Sequence, residues 1–481
     1  MKSTLEVLLG TVSAIREQLS AAVGQSERTI MLSTILIATA VSGAIGFILT
    51  QYFSVEVFSS LVRPPYDCWS TGMPVGRHCF NDYQSIAFGV ALLNPWAPPY
   101  QLVYPAANLL PAMIFSVPAA WLHAPRLGMY GYLLALATAV VTPAFWAARG
   151  ARGLEGVVVF IALGAMAVPA WVVIDRGNSV GFLAPIALVF LVALCRQQWG
   201  LVAIMVILAS LVRPQFVVLA IALFAARQWR LGGIALGGVV ISNLAAYVLW
   251  PHNFPGTIAQ SIHNTLNYTG VDGATELQAM HNVSFGRSLL LIPDLVKMSQ
   301  TDGILPGDFL AGPRSLIGYV VLVVVIVCLL TLGRRIPPVI SGIALLSTAA
   351  LFPALTYRYY LVFALPIAAL VVRDPDGPPG SGIFDRPTAL GDRRRAVGIS
   401  VSLVAALTIA QIVLPGSPKQ VIPGGPAQGT PVIATTTILT AFFWLVTCAT
   451  ILVSYARRPT PSGRRNQAPT PADPLNAAPS D

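Results

Sequence analysis

The sequence predicts an all-α polytopic membrane protein. Of its 481 residues, 55% are hydrophobic and 10% are charged, and the mean hydropathy is +0.72. A soluble domain carries about 25% charged residues. About a dozen apolar stretches approach the roughly 20 residues that span a bilayer. They lack the polar–apolar alternation of membrane β-strands, so we predict that the spans are helices.

The net charge of +10 indicates membrane orientation rather than binding to nucleic acid, because the arginines cluster at the ends of apolar segments. The first apolar segment, 30–50, is too long for the core of a cleavable signal peptide. We therefore expect an uncleaved first span with a cytoplasmic N-terminus. The apolar spacing within 4–23 predicts a helix that lies on the inner membrane surface.

Three regions follow from these patterns. We predict a cytoplasmic amphipathic helix in 1–29, a transmembrane body in 30–455 and a disordered cytoplasmic tail in 456–481, which is rich in Pro, Ala, Ser and Asn. Two outer loops, 51–108 and 251–314, interrupt the body. Its apolar segments are 30–50, 106–123, 128–147, 155–174, 179–195, 201–225, 232–250, 315–333, 336–353, 357–372, 396–414 and 432–455.

Arginines orient the later segments. Those at 334–335, 373, 393–395 and 457–465 mark cytoplasmic turns, so the 251–314 loop and the turn at 357–358 are expected on the outer side.

Two earlier segments are interrupted by Gly or Pro, namely 155–174 and 201–225. Interrupted helices are tolerated where they line a cavity. If both segments enter and return as half-helices, the polar residues beside them approach one outer cavity. This topology also puts Arg149 and Arg152 on the outer side, against the positive-inside rule.

The first outer loop carries the densest polar and aromatic sequence. Asp82, in FNDYQ (80–84), is either an N-cap carboxylate, which its spacing alone favours, or a general base at the mouth of a cavity. Cys68 and Cys79 lie in the same loop, and a disulfide between them is possible in an oxidising compartment.

Four other groups carry candidate chemistry. In DRGNS (175–179), Asp175 either pairs with Arg176 in an interface turn or has a functional role. In LVRPQF (211–216), Arg213 either snorkels to the interface or binds phosphate with its forked donors.

Of the other two groups, one lies in the second outer loop and one at the later outer turn around 357–358. His281, Asn282 and Ser284 of AMHNVSFGRSL (279–289) are either structural or bind hydroxyl or phosphate groups. Arg358, among the tyrosines of LTYRYY (355–360), belongs to an interface belt or binds a lipid phosphate. Walker, dinucleotide-binding and HExxH motifs are absent from the sequence.

The order of these motifs resembles glycosyltransferase family 87, whose members are integral-membrane GT-C enzymes that use polyprenyl-phosphate sugars. The matching segments are FNDYQ (80–84), LVYPAAN (102–108), DRGNSVGFLAPIALVFLVAL (175–194), LASLVRPQFVVLAIALFAARQWR (208–230), HNVS (281–284) and YRYYLVFALP (357–366). The resemblance implies a GT-C-like fold with about 11 to 13 transmembrane or re-entrant helices and an active site formed by outer-face loops. This chain departs from the family pattern at Ala106, at Arg213–Pro214 and at Arg176–Gly177.

The resemblance also implies a reaction at the outer face of the plasma membrane. A sugar would pass from a polyprenyl-phosphate donor to a cell-envelope glycolipid or glycan in one inverting displacement. Mannose is the first candidate for this sugar. Asp82 would be the base, and Arg213, Arg358 and His281 would bind the donor phosphate. The remaining substrate contacts would come from Tyr83, Trp96, Tyr104, Asp175, Asn178, Asn282 and Ser284.

We expect no metal and no cofactor. Two alternatives stay open: an arabinofuranosyltransferase of the same family, and a transporter or flippase of lipid-linked glycan. The sequence lacks the inverted repeat that many transporters carry.

Overall fold

The structure is a computed structural model. It describes residues 25–53, 80–267, 282–300, 313–385, 395–414, 418–419, 430–431 and 434–457. Four of the predictions fall outside these residues: the helix in 4–23, the pairing of Cys68 with Cys79, the role of His281 and the tail beyond 457.

Most of the described chain is helical, which confirms the all-α prediction. The α-helices are α1 Glu27–Phe53, α2 Asn81–Val90, α3 Ala106–Trp121, α4 Pro125–Ala148, α5 Leu154–Phe160, α6 Val168–Arg176, α7 Leu183–Cys195, α8 Trp199–Val212, α9 Ile221–Ala225, α10 Trp229–Ala246, α11 Gly256–Asn267, α12 Phe285–Leu289, α13 Leu291–Gln300, α14 Pro313–Leu332, α15 Pro338–Leu351, α16 Ala364–Val372, α17 Arg395–Ile409 and α18 Thr440–Ala456.

Shorter elements complete the description. A π-helix spans Ile161–Ala165, and 3-10 helices span Ser179–Phe182, Pro214–Ala220, Tyr247–Leu249, Gly333–Arg335, Arg358–Phe363, Ile383–Asp385 and Thr436–Leu439. Two antiparallel strand pairs join β1 Val413–Leu414 to β4 Ala434–Thr435 and β2 Pro418–Lys419 to β3 Thr430–Pro431.

The helices fall into two length classes. Among the described residues, five helical segments are long and apolar enough to cross a membrane: Glu27–Tyr52, Pro125–Ala148, Trp229–Leu249, Arg314–Arg335 and Thr436–Ala456. A bent pair, Leu154–Ala165 with Val168–Arg176, makes a sixth if it is one span. These long helices expose apolar side chains such as Phe47, Leu134 and Ile241. The protein is therefore a membrane protein whose long helices offer apolar surface to lipid.

The remaining apolar helices are short and lie inside. α15 has 14 residues, and every residue from Val339 to Leu351 is buried. Such a helix is about 21 Å long, whereas the hydrocarbon core of a bilayer is about 30 Å thick. α8 has the same length. These inner helices therefore stop short of the full membrane depth.

One end of the molecule gathers the arginine-rich turns. The Gly380 N–H donates to the Gly150 carbonyl at 2.8 Å, and Arg28 lies 2.7 Å from Glu155. Arg196 pairs with Asp376 at 2.9 Å. The turns at 196–199, 225–228 and 333–336 line one cavity together. We call this the basic end; it comprises Arg28, Arg395 and the turns at 149–155, 196–199, 225–230, 333–336 and 373–385.

At the opposite end of the inner helices, Asp82, residues 176–178, Arg213 and residues 352–360 meet. We call this the cavity end. The predicted break at Arg213–Pro214 is confirmed: α8 rises from the basic end to Val212, and the chain returns through Pro214–Ala220 to Ala225.

Two topological expectations are wrong. The 155–174 segment does not return, because Glu155 lies at the basic end and Arg176 at the cavity end. Its two parts are bent by 46°. Arg149 and Arg152 flank Gly150, so they lie at the basic end rather than with the cavity.

Both expectations were wrong because the apolar segment 106–123 has the length of a membrane-crossing helix, whereas α3 does not run from one end of the molecule to the other. α3 starts at the cavity, which Pro105 and Asn108 line. Its last turns pack so closely on Gly128 that a Cβ there would meet Ala119 and the Phe115 carbonyl. Gly128 belongs to the start of α4, whose other end is the basic end. Both ends of α3 therefore lie away from the basic end.

This topology makes a labelling prediction. In a cysteine-free background, Arg152→Cys and Arg334→Cys should react with an impermeant maleimide from the same side of sealed vesicles. Leu122→Cys, at the α3–α4 turn, should react only from the opposite side. Gel-shift labelling of right-side-out and inverted vesicles measures this, and labelling of Arg152→Cys together with Leu122→Cys would contradict the arrangement.

Candidate functional site

The site begins where α8 stops. A residue before proline is disfavoured in the helical conformation, and Arg213 accordingly has extended backbone angles, φ −152° and ψ 124°. The helix ends at Val212, and the Arg213 side chain is carried into the protein interior, where the residue is 3% exposed.

The Arg213 guanidinium is only partly satisfied. Its Nη2 donates to Asn178 Oδ1 at 3.0 Å. Its Nε and Nη1 are buried and have no hydrogen-bond partner in the part of the chain that the structure describes. Buried polar groups are nearly always paired, and an unpaired charged donor is costly. These two nitrogens are therefore available to an anionic ligand.

A cavity of about 480 Å³ adjoins this guanidinium. Arg213 lies 4.7 Å from the ring centre of Tyr104 and 6.0 Å from that of Tyr360, within cation–π range. Asn108 also lines the cavity, and its buried Oδ1 has no partner among the described residues. The described residues that line it are Val103, Tyr104, Pro105, Asn108, Arg213, Pro214, Gln215, Thr265, Leu266, Ser315, Tyr319, Phe352, Pro353, Ala354, Leu355, Tyr357, Tyr359 and Tyr360.

Asp82 is held in a fixed orientation and is linked to Arg213 through Asn178, although it is not among the described residues that line the cavity. Its Oδ1 accepts from Arg176 Nη2 at 2.7 Å, and its Oδ2 accepts from Arg176 Nε at 3.2 Å and from Asn178 Nδ2 at 2.6 Å. The side chains of Asp82 and Arg176 are 7% and 13% exposed. The N-cap interpretation of Asp82 is wrong, because α2 begins at Asn81 and Phe80 occupies the cap position.

Asn178 joins the two halves of the site. Its Nδ2 donates to Asp82, and its Oδ1 accepts from Arg213 and from the Val180 N–H at 2.9 Å. The amide is in place because α6 ends in a turn at Gly177, whose φ of +63° favours glycine. Glycine is also needed for space, since a Cβ there would lie 2.9 Å from Tyr83 Cβ.

The aromatic residues predicted to contact substrate occupy different places. Tyr104 lines the cavity. Trp96 is 1% exposed, and its indole donates to the Tyr104 carbonyl at 2.9 Å, so it supports the backbone of that residue. Tyr83 is buried against Tyr132, whose hydroxyl donates to the Gly177 carbonyl at 3.0 Å. Burial raises the pKa of the Tyr83 phenol to about 12.

The polar residues predicted from the second loop lie beside the cavity wall. Asn282 ties that wall together, donating to the Ala354 carbonyl at 2.7 Å and accepting from the Thr356 N–H at 3.0 Å. Ser284 caps α12 by accepting from the Arg287 N–H. Arg358 is buried between Tyr357 and Tyr359, both of which line the cavity.

Two site residues had weak or missing sequence signals. Asp175 is buried near the end of α6, but the neighbour that reaches Asp82 is Arg176, which the sequence analysis considered only as a partner of Asp175. Asn108 was visible only as the last letter of LVYPAAN. Among the described residues, no cluster of three His, Cys, Asp or Glu side chains offers a metal site.

No protein-family model matches this chain, and a search of curated proteins finds no match.

The bridging role of Asn178 makes a stability prediction. Asn178→Ala should lower the free energy of unfolding by about 1–3 kcal/mol, because it removes partners from both Asp82 and Arg213 in a buried setting. Asn243→Ala is the matched control, since the Asn243 amide donates only to the Val239 carbonyl of its own helix.

Thermal unfolding in detergent compares the two variants. Equal shifts in melting temperature for both would contradict the bridging role.

Proposed function

We propose that this chain is an integral-membrane glycosyltransferase that moves a sugar from a polyprenyl-phosphate donor to a cell-envelope glycolipid or glycan, with mannose as the first candidate for the sugar. The observation that carries the proposal is the buried Arg213 guanidinium, whose Nε and Nη1 face no protein acceptor among the described residues. A phosphate supplies acceptor oxygens in a geometry that matches the guanidinium fork.

The shape and polarity of the cavity support a lipid-linked phosphate. Arg213 forms its polar inner wall, and tyrosine rings suited to stacking on a sugar surround it. Leu266 and Tyr319 also line the cavity, yet they are 73% and 54% exposed. The cavity thus reaches the apolar outer surface of the helices, where a polyprenyl chain could lie in the bilayer.

Asp82 is suited to receive the acceptor's proton. In the described contacts its Oδ1 accepts one hydrogen bond, and a carboxylate oxygen offers two lone pairs. A sugar hydroxyl would give its proton to Asp82 as its oxygen attacks the anomeric carbon. The bond from that carbon to the phosphate oxygen breaks, and the electron pair leaves with the phosphate. Arg213 would stabilise the charge that forms there.

The hydrogen-bonded chain from Asp82 through Asn178 to Arg213 supports these roles of Asp82 as the base and Arg213 as the phosphate-binding residue. It fixes the base relative to the phosphate group, and correct positioning lowers a displacement barrier. Arg176 would orient the carboxylate rather than touch substrate. Trp96 would act through Tyr104, while Asp175, Asn282, Ser284 and Arg358 would support the surrounding walls.

The distribution of arginines supports a proposal for sidedness. The positive-inside rule assigns the basic end to the cytoplasm, so the cavity would open toward the outer face of the plasma membrane. An arabinofuranosyltransferase would use the same residues with a different donor. A flippase or transporter would use Arg213 to hold the phosphate but would need no base.

Asp82→Asn tests the proposal in purified protein with a labelled polyprenyl-phosphate sugar. Donor binding should remain, and sugar transfer should fall by at least about 100-fold because the base is lost. Asp376→Asn is the control, as that carboxylate pairs with Arg196 at the basic end.

The outcomes separate the alternatives. Near-normal transfer by Asp82→Asn would remove the base assignment. If the wild-type protein binds the donor and moves it between leaflets without transferring sugar, the transporter takes its place. Comparing mannosyl with arabinofuranosyl donors identifies the sugar, and melting curves show that the variants fold.

A further inference from the structure

A second concave region lies at the basic end, far from Arg213. Two adjoining cavities, of about 440 and 770 Å³, share Ala225, Gly333 and Arg334 in their walls. The described residues that line the larger one include Arg227, Trp229, Leu330, Arg334 and Arg335. The described residues of this lining include three arginines and no carboxylate.

Two similar turns build one side of this region. Gln197 and Arg227 both have positive φ angles, 54° and 62°. In each turn the next residue, Gln198 or Gln228, donates its N–H at 2.8 Å to a carbonyl five residues earlier. The following helices begin at Trp199 and Trp229. Both indoles line the cavities, and tryptophan favours the membrane–water interface.

Among the described residues, only some arginines of the basic end have carboxylate partners. Elsewhere at the basic end, Arg28 pairs with Glu155, Arg196 with Asp376 and Arg395 with Glu27.

Arg227, Arg334 and Arg335 have no carboxylate within salt-bridge distance in the described ranges, although they converge on one cavity from two separate turns. Arg227, Arg334 and Arg335 are exposed, and like charges on neighbouring turns repel one another. An anionic ligand would relieve that repulsion.

An apolar wall adjoins the arginines. Val323, Val327 and Leu330 lie on one face of α14 and are 56%, 51% and 41% exposed. Leu330 and Trp229, which is 64% exposed, also line the larger cavity. A ligand in this position therefore meets three cations at its head and a hydrocarbon-like surface beside them.

We propose that this region binds the phosphate headgroup of an anionic phospholipid, with the acyl chains along the exposed face of α14. A basic pocket between membrane helices is suited to such headgroups. A zwitterionic lipid fits less well, because its headgroup cation would be brought toward the three arginines. The site does not depend on the glycosyltransferase proposal, since it lies at the opposite end of the inner helices.

Native mass spectrometry of the full chain tests this site after exchange into detergent that contains phosphatidylglycerol or phosphatidylcholine. Wild-type protein should retain phosphatidylglycerol in preference to phosphatidylcholine. The variant R227Q/R334Q/R335Q should retain phosphatidylglycerol at least about tenfold less, since each arginine near a membrane surface attracts anionic lipid measurably. The control R149Q/R152Q/R457Q removes the same charge from other turns and should behave as wild type.

Three results would overturn the proposal. They are equal loss of lipid in both triple variants, equal retention of the two lipids by the wild type, and displacement of bound lipid by millimolar inorganic phosphate, which would indicate a free-phosphate site. If the triple variant does not fold, R334Q alone replaces it, because Arg334 lines both cavities. It should still reduce retention of phosphatidylglycerol, and unchanged retention would contradict the assignment.

Discussion

The burial of one arginine side chain at the end of a helix determines the arrangement of the site. α8 ends at Val212 because Pro214 disfavours a helical backbone at Arg213, and the extended backbone of Arg213 directs its guanidinium inward. Burial of a cation costs several kcal/mol unless partners surround it. Asn178 and the rings of Tyr104 and Tyr360 supply part of that compensation. Nε and Nη1 have no acceptor among the described residues, and in the proposed function a bound phosphate would supply it.

The short inner helices explain why this site lies at depth. α8 and α15, with 14 residues each, run from the basic end to the cavity end and stop there. The surrounding long helices continue, as the 24 residues of α4 illustrate. The cavity is therefore recessed among the longer surrounding helices. A lipid-linked substrate could enter it with its headgroup while its chain remains beside the wall.

Much of the helical framework could be predicted from local sequence. The apolar segment 128–147 became α4, Pro125–Ala148, and the break at Arg213–Pro214 came directly from the chemistry of proline. α3 was misassigned because apolar length does not tell a crossing helix from one that starts at an internal cavity. That distinction depends on the packing of Phe115 and Ala119 on Gly128, which no local pattern encodes.

The site was predictable in its parts but not in its pairing. Asn178 and Arg213 stood out as polar residues beside apolar segments, and Asp82 stood out within the polar first outer loop. The partner of Asp82 is Arg176, 94 residues away in the sequence, and it was hidden beside the more prominent Asp175. Trp96 carried an aromatic signal typical of sugar binding, yet its indole supports the Tyr104 backbone. Residues far apart in sequence become partners only through tertiary packing.

Binding of a polyprenyl phosphate without sugar tests the central claim most directly. Fluorescence or calorimetric titration of the purified protein should give an affinity that Arg213→Gln weakens by about tenfold or more, because charge-assisted hydrogen bonds to the phosphate are lost. Arg126→Gln, an exposed arginine at the start of α4, should leave the affinity unchanged. Equal affinity of wild type and Arg213→Gln would contradict the account.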